Sequence, residues 1–491
     1  MSSAAMPSAA LPDEPAPLEG EAVIAGRRRA ELQLIALAIG VVAFAFVNVG
    51  LSLKGQSFGT IFSYVVIFAA VSLAAHLVVR KWAPYADPLM LPLALLLNGL
   101  GLAMLYRLFE VGRNGNPGPF SFSGKVIPIS TLSHNAVTMQ ILYTVIGLCA
   151  FAAFLLYVKE PRMMHRYTYL FGMIGLFLFA LPAIGLPGSE VQGAKIQITI
   201  PGLGSFQPEE FGKLLLAMSF ASYLVVKRDV LSLAGKRVLG VDLPRGRDLG
   251  PIVAMWGISM MLLVFESDIG TSAVFMGLFV SMIYIATGRN SWLLIGAGMF
   301  VAGGLTAAAL VPHVGVRFNT WLHPFTQQNL VVTGHSYQLA QGLYGMGNGG
   351  VLGKGLGGGQ PWWTPLVQSD FVFTAFGEEL GLTGAMAILL IYGLIVQRGL
   401  RTALLIKDQF SKLLAGGLSF MLALQVFVIV GGVTRLIPLT GITTPFLAQG
   451  GASLIGSWIM IAILIRLSDT ARRPAPKPIQ DEGLTQVVSL K

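Results

Sequence analysis

One cysteine, Cys149, occurs in 491 residues. That scarcity excludes an internal disulfide framework and any cysteine-built metal cluster. Cys149 lies in an apolar run and reads as a small core residue. Charge is scarce too. Charged residues make up 11% of the chain and apolar ones 54%, with a mean hydropathy of +0.72. A soluble protein of average composition carries roughly 25% charged residues. A chain so poor in polar surface cannot cover itself in water, so it belongs in a bilayer. Acids are outnumbered, giving a net charge of +10. The basic residues fall between apolar runs rather than along one face, so no nucleic-acid partner is expected. His313, His323 and His335 match no zinc spacing, and no metal ligands are assigned.

Long apolar runs are what the chain has in abundance. A membrane-crossing helix needs about 20 apolar residues. The sequence offers about twelve such stretches: 32–50, 60–80, 89–109, 136–158, 167–187, 209–227, 249–266, 270–287, 291–311, 371–397, 411–434 and 446–467. The fold class is therefore an all-α polytopic membrane protein. The two runs around "ESDIGT" (Glu266–Thr271) are expected to meet at a break facing protein or water. Residues 1–26 are rich in Ala, Pro and Ser without periodicity; with Arg27, Arg28 and Arg29 they form an expected disordered tail, 1–31. No small-residue cleavage site follows the first apolar run, which therefore reads as a retained span. With the N-terminus inside, the Lys- and Arg-rich connections all fall on the inner side, placing both termini in the cytoplasm. The expected organisation is two N-terminal spans within 32–88, a core over 89–470 and a cytoplasmic tail over 471–491.

One outer loop, 312–370, is too long to be a simple connection. It holds "GHSYQLAQGLYGMGNGGVLGKGLGGGQPWW" (Gly334–Trp363), in which aromatics alternate with glycines. Aromatics and glycines at a membrane surface suit a folded lid or an amphiphile groove. "GMGNGG" imitates a dinucleotide motif, and "NGGVLGKGL" a P-loop, but neither has the strand–turn–helix frame that such a motif requires. The glycines around Lys354 can form a backbone anion nest or a plain flexible linker.

Charges at membrane depth are functional candidates by default. "FQPEEFGK" (Phe206–Lys213) opens a span with Glu209 and Glu210 within reach of Lys213. The acids complement a helix N-terminus, whereas the sunken Lys213 needs another reason. Asp268 and Arg435 read equally as site residues or as ion-pair partners that join spans. In "QSDFVFTAFGEELG" (Gln368–Gly381), Asp370 could cap the helix beginning at Phe371. Glu378 and Glu379 lie two helical turns further in, where no cap explains them; Lys213 and Arg435 are the expected partners.

"FQPEEFGK", "ESDIGTS", "RFNTWLHPF", the glycine-rich stretch, "QSDFVFTAFGEELGLTG" and "RLIPLTGITTPFLAQGGASLI" follow one another in that order. Together they resemble the shape, elongation, division and sporulation (SEDS) family over roughly residues 89–470. The two spans before residue 89 resemble those of longer actinobacterial members. The resemblance departs locally: Glu209 stands where Ser or Ala is usual, Ser267 and Ile269 where Pro and Leu are usual, and Gln449 where Tyr is frequent. It implies a membrane glycosyltransferase that polymerises lipid II into peptidoglycan, partnered by a class B penicillin-binding protein transpeptidase. It further implies that Asp370 is the essential carboxylate. An inverting transfer then needs a base, expected in Asp370, and cations for the leaving pyrophosphate. Lys213, Arg317, Lys354 and Arg435 are expected there, with Glu210 and Glu379 as further substrate-binding residues. No cofactor is assigned, and a divalent ion on the pyrophosphate is left open. The rivals are a lipid II flippase, a non-catalytic scaffold and a division-specific polymerase; the two extra spans and short C-terminal tail favour elongation.

Overall fold

The computed structural model describes residues 18–474, apart from 53–57, 114–119, 123–124, 128–135, 185–189, 192–193, 196, 201–203, 233–235, 239–240, 244–245, 266–267 and 333–334. Helix α1 spans Leu18–Ser52, α2 Phe58–Trp82, α3 Met90–Arg113, α4 Ala136–Tyr157 and α5 Thr168–Ala183. Next come α6 (Glu209–Ser232), α7 (Gly246–Phe265), α8 (Ile269–Thr287) and α9 (Ser291–Leu310). Five short helices or helical turns and three long helices complete the order. They are α10 (Pro312–Leu322), a π turn at Gln328–Val332, α11 (Tyr337–Gly349), a 3-10 turn at Pro361–Trp363, α12 (Val372–Glu379), α13 (Gly381–Leu405), α14 (Gln409–Val433) and α15 (Gly451–Arg472). Among the described residues, strand is confined to four two-stranded antiparallel hairpins between helices. The protein is thus nearly all helical, as its composition requires.

Ten helices among the described residues are long and apolar enough to cross a membrane. Helices α6 and α7 fall at the other two stretches expected from the sequence. Helix α6 carries charges at both ends, and the apolar part of α7 is the short Val253–Leu262. Helices α3, α14 and α15 are central: the apolar windows of α3 and α15 are 83% and 89% buried, whereas that of α9 is 6% buried. A bundle in lipid needs no polar outer face, so apolar side chains such as Phe44 and Leu294 point outward. Cys149 belongs to that outer surface, not to the core.

Three expectations change. Helix α1 begins at Leu18, inside the stretch read as a tail, because a buried Arg28–Glu31 pair extends it beyond the apolar run. The stretch 371–397 is two helices: the chain breaks at Leu380, and Gly381 takes a φ of 69° that a side chain would strain. The stretch 446–467 begins as helix only at Gly451; residues 435–450 form non-helical backbone between α14 and α15, exposed at Arg435, Leu436 and Gly441 and buried over 444–448. The expected break between α7 and α8 includes Glu266 and Ser267, which lie outside the described residues, as do 475–491 of the C-terminal tail.

Helix α3 packs against that non-helical segment through Gly101, where a Cβ would lie 2.6 Å from the Phe446 carbonyl oxygen and 2.8 Å from Leu447 Cα. Backbone cannot swing aside as a side chain can. Gly101→Ala is therefore expected to cost about 1–3 kcal/mol by overpacking. Gly40→Ala, on open α1 surface, should leave the thermal melt in detergent unchanged or raise it. Equal melts for the two variants would disprove this tight approach.

Candidate active site

Residues 435–450 are non-helical and carry carbonyl groups that no helix satisfies, and much of the segment lies inside the bundle. Such backbone is tolerated at depth only where protein or water supplies donors. Several supply them here. Arg317 Nη1 donates to the carbonyls of Thr440 at 2.9 Å and Leu439 at 3.4 Å. Gln425 Nε2 donates to Thr443 O at 3.4 Å, Gln140 Nε2 to Ala448 O at 3.1 Å, and the Tyr392 hydroxyl to Pro445 O. The Gln449 amide in turn donates to Gln368 O at 2.8 Å, tying the segment to the residues just before Asp370.

Asp370 lies at the end of that tie. The first helical residue of α12 is Val372, and the capping position falls to Phe371. Asp370 is one residue too early to cap, and its side chain instead accepts from Ser369 Oγ at 2.9 Å. Burial pushes the Asp370 carboxyl up from its ordinary value; the Ser369 bond, nearby backbone amides and the charge of Arg317 pull it back. Arg317 is lowered by burial, against the attraction of Asp268 and Asp370. The charges of Asp268 and Asp370 thus both act on one guanidinium, which is itself bonded to the carbonyls of Leu439 and Thr440. Asp268 also caps α8, accepting from the Thr271 amide at 2.8 Å. His313 is lowered by burial and by the charges of Arg317 and His335. This rim offers a carboxyl group held closer to neutrality than usual, beside a cation that suits an anionic ligand.

Deeper in, Lys213 Nζ pairs with Glu210 at 2.7 Å and donates to Gln425 Oε1 at 3.3 Å. All three are buried. Gln425 therefore joins the α6 ion pair to Thr443 and so to the non-helical segment.

A second buried network holds the glycine-rich loop. Arg107 of α3 donates through Nε to Glu379 Oε1 at 3.1 Å and through Nη2 to Gly357 O at 2.8 Å and Gly359 O at 3.0 Å. The Gly357 amide donates to the other Glu379 oxygen at 2.9 Å, and Gln360 N to Glu378 Oε1 at 2.8 Å. The backbone amides of Lys354 and Gly355 donate to the carbonyls of Glu378 and Glu379. The expected anion nest exists in part, but the anion it holds is the protein's own Glu379.

The structure thus sorts the sequence-predicted residues. It sets Asp370 and Asp268 within electrostatic reach of Arg317, without a direct ion pair among the described residues. Lys213 and Glu210 pair with each other, not with Glu378 or Glu379. Arg435 binds Trp321 O at 3.0 Å and Leu322 O at 3.1 Å, fastening the end of α14 to α10, and has no contact with the glutamates. Lys354 has an exposed side chain. Glu379 has both oxygens occupied by protein donors. Sequence reasoning missed Arg107, Gln140 and Gln425. The available signal was a strong polar group inside an apolar run, which is costly in lipid and needs a partner. Among the described residues, no three His, Cys, Asp or Glu side chains gather as a metal site.

A polytopic helical bundle with a carboxylate–guanidinium rim, set on buried irregular backbone, is the class of protein that emerges. The chain belongs to the FtsW/RodA/SpoVE family of cell cycle proteins, whose model matches residues 121–473. It is 45% identical over 451 residues to the peptidoglycan glycosyltransferase RodA of Mycobacterium tuberculosis strain H37Rv, covering 91% of this chain and 92% of that one. It is 30% identical over 399 residues to the stage V sporulation protein E of Bacillus subtilis, covering 80% of this chain and 99% of that one. In fold it is similar to a chain of a peptidoglycan synthase complex that coordinates polymerization and crosslinking (TM-score 0.60, 21% identity, 79% of this chain and 99% of that one). It is also similar to a variant of the Thermus thermophilus rod shape determining protein RodA (TM-score 0.53, 22% identity, 79% and 99%).

Arg107→Met should strand Glu379 in a buried site and cost about 3–5 kcal/mol. The double variant Arg107→Met, Glu379→Met should recover much of that loss, because no unpaired charge remains. A double-mutant cycle of melts in detergent checks this. Additive losses would mean that the two side chains do not act as a pair.

Proposed function

We propose that this protein is a peptidoglycan glycosyltransferase of the RodA type that polymerises lipid II at the outer face of the cytoplasmic membrane, with both termini cytoplasmic. The observation that carries the catalytic assignment is the placement of Asp370: it does not cap α12, its carboxyl is raised by burial, and Arg317 lies electrostatically beside it. The family relationship supports the activity, and the named activity of the 45% identical mycobacterial relative agrees with it.

Polymerisation joins a 4-hydroxyl to an anomeric carbon that bears polyprenyl pyrophosphate. The hydroxyl oxygen attacks that carbon, its proton passes to the Asp370 carboxylate, and the bond to the pyrophosphate oxygen breaks. The α linkage of the donor becomes β in one displacement. Protein cations must meet the charge that develops on the leaving group. Arg317 is best placed, being within electrostatic reach of Asp370 and fixed by carbonyls. Lys354, exposed on the glycine loop, is a second contact. Lys213 and Arg435 serve indirectly, because Glu210 and the α10 carbonyls already engage them. Glu379 and Glu210 likewise shape the site rather than touch substrate.

The proposed partner is a class B penicillin-binding protein, docking a membrane span on α13 and α14. An apolar groove of about 320 Å³ between these helices, lined by residues including Leu389, Val396, Val426 and Phe427, supports that placement. Photocrosslinkers on these residues should capture the transpeptidase, and capture only from α1 and α2 would overturn the assignment.

Asp370→Asn should abolish glycan ladders from labelled lipid II while leaving the melt in detergent close to wild type. Asparagine keeps the shape but cannot take the proton, and general-base loss typically costs about 10²–10⁴ in rate. Near-normal ladders would return Asp370 to a structural role. The pH profile gives a second test. The base works deprotonated and its carboxyl is raised, so the acid limb should lie above the ordinary aspartate value of about 3.9. Arg317 lowers that carboxyl, so Arg317→Gln should move the limb to still higher pH. A limb that stays in place would remove Arg317 from the neighbourhood of the base.

A further inference from the structure

The N-terminal helix pair carries a feature that polymerisation does not use. A cavity of about 340 Å³ opens between the start of α1 and the end of α2, lined by Ile24, Arg28, Arg29, Leu32, His76 and Arg80. Its floor is a built polar site. Glu31 is fully buried and shared between Arg28 and His76, whose Nδ1 lies 2.7 Å from Glu31 Oε1. Arg28 is 4% exposed; it bonds Glu31 and the Ala86 carbonyl, and its Nε has no acceptor. The mouth is cationic, since Arg29 and Arg80 are exposed and neither pairs with a carboxylate among the described residues. Among the described residues the acid that bonds the cavity lining is Glu31, already bonded twice; Asp469 and Asp87 act on Arg28 only from a distance.

The surroundings decide what kind of anion fits. Arg80 lies in the last turn of the membrane-crossing α2, so the cavity opens where a span ends. Apolar side chains continue from it along the outer surface: Leu32 and Leu73 are 41% and 44% exposed, and Leu77 is 61% exposed. We propose that this cavity binds the phosphate headgroup of an anionic phospholipid, whose acyl chains lie over Leu32, Leu73 and Leu77. A phosphodiester accepts from forked guanidinium donors. Basic pockets between spans at a membrane surface suit such headgroups. A soluble phosphate would satisfy the arginines but leave the leucine track unused.

Native mass spectrometry of the full chain in detergent tests this, with phosphatidylglycerol and phosphatidylcholine of matched chains titrated separately. The first phosphatidylglycerol should bind more tightly than phosphatidylcholine. Arg29→Gln with Arg80→Gln should weaken it roughly thirtyfold, the effect of two surface cations at about tenfold or less each. Arg29→Lys with Arg80→Lys should retain most of the binding. Lys159→Gln with Arg166→Gln, two exposed cations elsewhere, should leave it unchanged. Equal binding of the two lipids, or equal loss from both Gln pairs, would overturn the proposal. Displacement of the lipid by millimolar inorganic phosphate would also overturn it, handing the cavity to a soluble phosphate.

Discussion

Unsatisfied backbone is the constraint on which this structure turns. Between α14 and α15 the chain is non-helical over residues 435–450 and largely enclosed by the bundle, and each buried carbonyl there needs a donor. Arg317, Tyr392, Gln425 and Gln140 meet that need from four different helices. The same donors define the site. Arg317 reaches the segment from α10 and acts electrostatically on Asp370, and Gln425 links the segment to the Lys213–Glu210 pair. The irregular stretch therefore works as a frame that fixes the separation of charged groups carried by distant parts of the sequence.

The glycine-rich loop follows the same logic with the opposite partner. A buried carboxylate, Glu379, gathers the Gly357 amide and Arg107, and Arg107 in turn holds the carbonyls of Gly357 and Gly359. Arg107 also stacks on Trp362, 5.0 Å from its ring. A loop with so many glycines would be loose without such anchors, since glycine gives up the most freedom on ordering. Here the anchors lie in α3 and α12, both buried, so the segment leading to Asp370 is tied at each end. Catalysis by positioned charge requires such rigidity, because a misplaced donor stabilises no developing charge.

Charge placement separates the two ends of the molecule. Around Asp370 and Arg317 the charged groups are few, and no direct ion pair joins them among the described residues. At the other end of the bundle, Arg466 pairs with Asp469, Arg472 lies 2.8 Å from Asp87, and Arg28 and His76 share Glu31. These pairs bind α1, α2 and α15 to the turn after α2. The two additional N-terminal helices are thereby fastened to the core through ion pairs as well as apolar packing.

By itself the sequence determined the membrane class, the positions of the long helices, the family and the prominence of Asp370. These follow from composition, run length and local motif, all of which are properties of neighbouring residues. It misjudged Asp370 as a possible cap and gave Glu378 and Glu379 the wrong partners. It also continued one helix through Gly381 and extended another back over residues 446–450. The reason is common to all four. Capping depends on a one-residue difference in where a helix begins, and a buried acid pairs with whichever cation the fold brings near. Arg107 is 272 residues from Glu379 in the chain, and nothing local to either announces the other. The tertiary structure alone decided that irregular backbone runs through the core and that Arg317 serves it and Asp370 together. Low dielectric makes such pairings obligatory without specifying their partners in advance.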